Sequence, residues 1–118
     1  TAAGIAFQNP CVLLTGDLAF LYDLHALKVI SDEQLPLVIV VMNNGGGNIF
    51  ETLPISQNNP YFETHFKAAH HLSFEHIAKQ FNIQYHSCQD VQHVGPVLEA
   101  LCLKQKPAIL ELAFAKRA

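Results

Sequence analysis

The sequence predicts an α/β domain: an open, mostly parallel sheet with helices on both faces, three layers in all. Three observations carry this. Apolar runs at 11–14, 35–42 and 108–114 have the length of strands and no polar alternation, the pattern of parallel strands covered on both sides. Segments with helical spacing lie between the runs, and crossover helices are what join parallel neighbours. The first two runs end on Gly16-Asp17 and on the segment 43–48, Asn-Asn-Gly-Gly-Gly-Asn, where backbone is freed to take unusual geometry.

Residues 1–8 are small and apolar and read as the end of a helix, closed by Asn9-Pro10 because proline disfavours helical geometry in the residue before it. The strand at 11–14 follows and is expected to be buried on both faces. Residues 18–30 read as one helix whose apolar side chains, Leu18, Phe20, Leu21, Leu24, Leu27, Val29 and Ile30, wrap nearly all round it. Such a helix must be covered on every side, which in a chain of 118 residues implies a second subunit or another domain. A homodimer or homotetramer is expected. Residues 31–34 form a polar turn, and 35–42, β-branched at Val38, Ile39, Val40 and Val41, is the central strand. Residues 49–67 carry Pro54, Pro60 and scattered aromatics without a period and read as a long loop. Ser73 opens a helix over 73–81 with Ile77, Ala78 and Phe81 on one face. A short strand at 83–86, an amphipathic helix at 90–102 and a last strand at 108–114 complete a single domain spanning 1–118.

Half of the residues are hydrophobic and 14% are charged, enough to bury one core. The formal charge is −3 without any run of Lys or Arg, which disfavours nucleic acid and anionic membranes as partners. No apolar run approaches the roughly 20 residues of a membrane span. Three widely spaced cysteines, Cys11, Cys88 and Cys102, suggest neither a disulfide framework nor a zinc ribbon and fit a reducing cytoplasm. The chain opens on Thr1 and reads as the C-terminal piece of a longer protein.

In open α/β sheets ligands sit outside the carboxyl ends of the strands. Asp17 and Asn44, 27 residues apart, fall at two such ends, separated by one helix and a returning strand. A carboxylate, an amide carbonyl and a freed backbone carbonyl are hard oxygen donors. With phosphate oxygens they describe an octahedral Mg²⁺ site, since Mg²⁺ takes few protein ligands. A diphosphate is the expected anion, facing the N–H groups of Leu18 and Ala19 at the start of a helix.

A Gly-Asp pair after one strand and an Asn-Asn pair after the next resemble the cofactor motif of the thiamine-diphosphate-dependent enzyme superfamily. Within it, Gly16-Asp17-Leu18, the segment 21–27 (Leu-Tyr-Asp-Leu-His-Ala-Leu), the segment 43–50 (Asn-Asn-Gly-Gly-Gly-Asn-Ile-Phe) and Leu53-Pro54 are similar to one family. That family is the 2-succinyl-5-enolpyruvyl-6-hydroxy-3-cyclohexene-1-carboxylate synthases of menaquinone synthesis, transferases that join the decarboxylated 2-oxoglutarate unit to isochorismate. The resemblance implies a thiamine-diphosphate-binding fold, with Asp17, Asn44 and the Gly46 carbonyl on Mg²⁺ or Mn²⁺. It implies cofactor contacts from Gly16, Leu18, Ala19, Asn48 and Ile49, and an apolar wall of Ile49, Phe50 and Leu53 beside the substrate. It further implies that no catalytic residue falls within this chain, because the family's cofactor-activating glutamate belongs to an N-terminal domain, as do most residues that hold substrate carboxylates. The chain alone is therefore expected to be inactive. It departs from the family at His25 and Gly47, where Asn- or Ser-type residues stand.

Plainer readings stand beside these. Asp17 alone is equally a helix N-cap, and a lone glycine run is an ordinary turn. His65, His70, His71 and His76 lie close together, yet His71 and His76 are five apart, not the i, i+4 of a helical zinc pair. Glu51, Glu63 and Glu75 are expected on the surface, and Cys11 and Cys102 as inert core thiols. Two other functions keep the same fold: another thiamine-dependent 2-oxo acid decarboxylase or acetolactate-type synthase, and a non-catalytic module binding a phosphate ligand without regard to Mg²⁺.

Overall fold

The β-branched run 38–41 is the spine of the molecule, because side chains on both sides of it find apolar partners. In the computed structural model, which describes residues 1–44 and 73–113, it belongs to a strand flanked by others on both edges. The elements in order are α1 (Ala2–Ala6), β1 (Cys11–Gly16), α2 (Asp17–Tyr22), α3 (Ala26–Asp32), β2 (Leu37–Asn43), α4 (Glu75–Gln80), β3 (Gln84–Cys88), α5 (Val91–Leu103) and β4 (Ala108–Ala113). The four strands are parallel and lie in the order β1-β2-β4-β3.

Alternation along the strands divides the core into two. Leu37, Ile39 and Val41 of β2 and Ile109 of β4 pack under Ala6, Phe20, Leu27, Ile30, Phe74 and Ala78 from the first four helices. Val38 and Val40, with Ala108, Leu110 and Leu112, pack against Leu101, Val94, Val97 and Leu98 of α5. Helices on both faces of a parallel sheet make the three layers that the sequence predicts. Among the described residues no helix is long and apolar enough to cross a membrane.

Three expectations need correction. The first strand is not buried on both faces: it extends to Gly16, forms an edge, and leaves Val12 48% and Leu14 64% exposed. The cause is that α5 packs chiefly over β2, β3 and β4; only its end, at Leu101 and Cys102, comes beside Val12, and Leu14 is left the more exposed. The helix expected over 18–30 is two helices, broken where the carbonyls of Asp23, Leu24 and His25 accept from the amides of Ala26, Leu27 and Lys28, each three residues on. The break points Leu27 and Ile30 at the sheet and leaves Tyr22 and Val29 exposed, so α3 is buried on one side only. Of the cysteines, Cys102 is exposed and Cys11 half-buried; the core thiol is Cys88.

The connections from α3, α4 and α5 into the strands that follow them each leave the helix through a non-glycine residue in the left-handed region: Gln34, Asn82 and Gln105, at φ 48°, 55° and 51°. Elsewhere the expected elements shift by no more than two residues at their ends.

Candidate functional site

The carboxyl edge of the sheet gathers the polar groups that the core excludes. At the end of β1, Gly16 is extended (φ −80°, ψ 167°) and turns the chain into α2, of which Asp17 is the first residue. Asp17 is 3% exposed. Its Oδ1 accepts from the Leu18 amide at 2.9 Å, and a carboxylate in a first helical turn also meets the positive end of the helix dipole. Leu18 is half-buried and Ala19 exposed. One of the two amides expected to face a diphosphate, that of Leu18, is thus taken by its own neighbour's carboxylate.

Gly16 pairs with Met42 across the β1–β2 ladder. The next residues, Asp17 after β1 and Asn43-Asn44 at the end of β2, therefore lie side by side at the sheet edge. Asn43 closes β2, and Asn44 follows it, exposed. A buried carboxylate beside an exposed asparagine suits a hard cation such as Mg²⁺, which needs only one or two protein ligands besides phosphate and water. Gly46, Asn48, Ile49, Phe50 and Leu53, with Glu51, Glu63, His65, His70 and His71, lie outside the described residues. His76 is exposed on α4, and Glu75 is a surface residue paired with Lys79 at 3.2 Å. Among the described residues no group of three or more His, Cys, Asp and Glu is placed to hold a metal.

The sequence reading missed a second buried carboxylate. Glu111, 2% exposed, sits in the middle of β4, level with Val41 of β2 and Ser87 of β3. Its Oε2 accepts from Asn43 Nδ2 at 2.9 Å. Its Oε1 accepts from the Phe74 amide at 2.8 Å and from the Tyr85 hydroxyl at 2.9 Å. The signal for it was present: Glu111 is the lone charge in an otherwise apolar strand, and a charge there must be paired or costs several kcal/mol. Burial, foremost, raises the Tyr85 phenol above its ordinary 10.0; Ser73 works against the shift and Glu111 adds to it. Phe74, whose amide Glu111 holds, is fully buried, and its ring meets that of Phe20 edge-on at 5.0 Å.

Similarity to known proteins bears on this edge directly. Residues 1–112 match the family described as thiamine pyrophosphate enzyme, C-terminal TPP binding domain. A 2-succinyl-5-enolpyruvyl-6-hydroxy-3-cyclohexene-1-carboxylate synthase of Flavobacterium johnsoniae is 40% identical over 117 residues, covering 95% of this chain and 21% of that protein. The enzyme of the same name from Rubrobacter xylanophilus is 35% identical over 119 residues, covering 99% and 20%. The chain thus spans a fifth of the length of the curated relatives it matches. Among solved structures, benzoylformate decarboxylase from Polynucleobacter necessarius superposes with a TM-score of 0.81 at 17% identity, over 98% of this chain and 23% of that one. The thiamine diphosphate-dependent 4-hydroxybenzoylformate decarboxylase of Rhodococcus jostii gives 0.79 at 18% identity, with the same coverage. At such identities the structures speak for the fold alone. The sequence match, running from the first residue into β4, speaks for descent, and the chain belongs to the C-terminal TPP-binding domain family of the thiamine pyrophosphate enzymes.

Proposed function

We propose that this chain is the cofactor-binding domain of a 2-succinyl-5-enolpyruvyl-6-hydroxy-3-cyclohexene-1-carboxylate synthase, holding the diphosphate of thiamine diphosphate through Mg²⁺ or Mn²⁺. The observation that carries the reading is the buried Asp17 leaving β1 beside the Asn43-Asn44 end of β2; the names of the relatives supply the reaction. When bound, thiamine diphosphate supplies the carbanion chemistry by which 2-oxoglutarate loses CO₂ and the remaining unit joins isochorismate.

The work of this chain is to hold. The Asp17 carboxylate and the Asn44 amide oxygen would be the cation ligands, and the Gly46 carbonyl would be a third. The positive end of α2, from Gly16 to Ala19, favours the charge of a phosphate. Ile49, Phe50 and Leu53 would form the apolar wall beside the substrate, and Asn48 would contact the cofactor. Proton transfer to the cofactor and most recognition of substrate carboxylates fall to an N-terminal domain, so the chain by itself turns nothing over. The working form is a cytoplasmic homodimer or homotetramer.

Calorimetric titration of thiamine diphosphate into the chain and into the full-length protein, with and without Mg²⁺, tests this reading. Binding is expected to need Mg²⁺ and to weaken at least about tenfold, or about 1.4 kcal/mol, in Asp17→Ala, and to weaken also in the isosteric Asp17→Asn. Binding indifferent to Mg²⁺ would instead mark a phosphate-ligand module. Silence in both forms overturns the cofactor role, and turnover by the chain alone above a no-protein blank overturns its expected inactivity.

A further inference from the structure

Glu111 touches no position expected to contact substrate or cofactor, yet three donors converge on it from three parts of the fold. Asn43 Nδ2 reaches Oε2 from the end of β2, at 2.9 Å. The Phe74 amide, just before α4, and the Tyr85 hydroxyl of β3 reach Oε1 at 2.8 and 2.9 Å. Asn43 immediately precedes Asn44. Phe74 packs its ring on Phe20, which lies one helical turn beyond Asp17 in α2. The carboxylate is thus one bonded step from the strand end that carries Asn44. It is one bonded step and one ring contact from the helix that carries Asp17.

Hydrogen bonds to a charged acceptor are short, directional and about twice as strong as neutral ones, and in a buried setting their geometry is held firmly. A buried carboxylate with three donors is a fixed point from which flexible ends can be located. We propose that Glu111 is a positioning residue for the cofactor site. It sets the end of β2, and with it Asn44, against α2 and Asp17, through Asn43 on one side and through Phe74 and Phe20 on the other. The proposal rests on the cation-binding reading of Asp17 and Asn44, but the polar junction itself does not.

Reversing the polarity of one bond is the test. In Asn43→Asp two carboxylates face each other, both acceptors. In Asn43→Asp combined with Glu111→Gln, the amide introduced at 111 donates to the carboxylate introduced at 43, and the net charge is that of the natural pair. In the full-length protein, Asn43→Asp is expected to weaken Mg²⁺-dependent binding of thiamine diphosphate by at least about tenfold, and the double variant to regain most of that loss. Should Asn43→Asp fail to fold, Asn43→Ala takes away the amide without placing a second carboxylate there and is expected to weaken binding by about three- to tenfold, with a modest fall in melting temperature from the donor that Glu111 loses. Single and double variants that bind alike overturn the proposal. So do variants, Asn43→Ala included, that shift the melting temperature and leave affinity untouched, the mark of a purely structural contact.

Hydrogen exchange at the amides of residues 43–44 and 73–74 separates this proposal from the function on which it rests. Faster exchange in Asn43→Asp, restored in the double variant, supports the junction even if the natural protein binds no thiamine diphosphate, an outcome that sinks only the function. Exchange that is the same in all forms overturns the junction.

Discussion

Two carboxylates are buried among the described residues, and they are held in different ways. Asp17 sits at a helix start, where its own neighbour's amide and the helix dipole receive it. Glu111 depends on donors that are distant in sequence, so its surroundings are the more easily disturbed. Tyr85 shows this in a pH dependence. Its phenol, raised above 10.0 chiefly by burial, keeps its proton in the fold at a pH where the unfolded chain has lost it. The native state then binds more protons, so stability is full below about pH 10 and falls as pH rises through the window up to the raised value. Tyr85→Phe is expected to flatten the fall in melting temperature above pH 10. At neutral pH it should cost about 1 kcal/mol, because Glu111 Oε1 loses a donor. Equal alkaline slopes in the two proteins would assign that limb to other groups. Asp17 was legible in the sequence because a Gly-Asp pair closing an apolar run is a local signal. The part played by Glu111 was not, because its partners Asn43, Phe74 and Tyr85 meet it only once the strands are ordered.

Helix ends are the weak places among the elements. Gln105 leaves α5 at φ 51°, a conformation that costs a residue with a Cβ about 1 kcal/mol and costs glycine almost nothing. Gln105→Gly is therefore expected to raise stability by about 0.5 kcal/mol after the extra freedom of the unfolded chain is subtracted, read as a small rise in melting temperature. A fall would mean that the Gln105 side chain makes a contact that outweighs the strain. The same scale explains what the pattern of residues 18–30 conceals. Apolar positions all round a helix and two short helices of different phase leave the same trace in a sequence, and only the polar Asp23 and His25 hint at the break. The apolar run of β1 was equally ambiguous: it announces a strand, but it does not say whether a helix reaches across both of its faces.

For the whole molecule, the open side of β1 is the largest departure from a covered sheet. Val12 and Leu14 stand 48% and 64% exposed on an edge strand, a combination that favours association. The isolated chain is expected to sediment as a concentration-dependent mixture larger than a monomer, and Val12→Lys with Leu14→Lys to return it to monomer. A natural chain that is monomeric at every concentration would remove this surface from any account of assembly. The α/β class and three layers were readable in advance, since strands without polar alternation need helices on both sides. The strand order was not, because nothing local says that β4 inserts between β2 and β3. That order has a consequence in time. β4 leaves the ribosome after the other three strands, yet β3 pairs with no other described strand, so until β4 arrives β3 is an orphan and the β1–β2 pair ends in open backbone. Among the described strands the middle of the sheet is filled after its flanks. Glu111 travels on β4, so Asn43 and Phe74 receive their shared anchor only when that strand docks between β2 and β3.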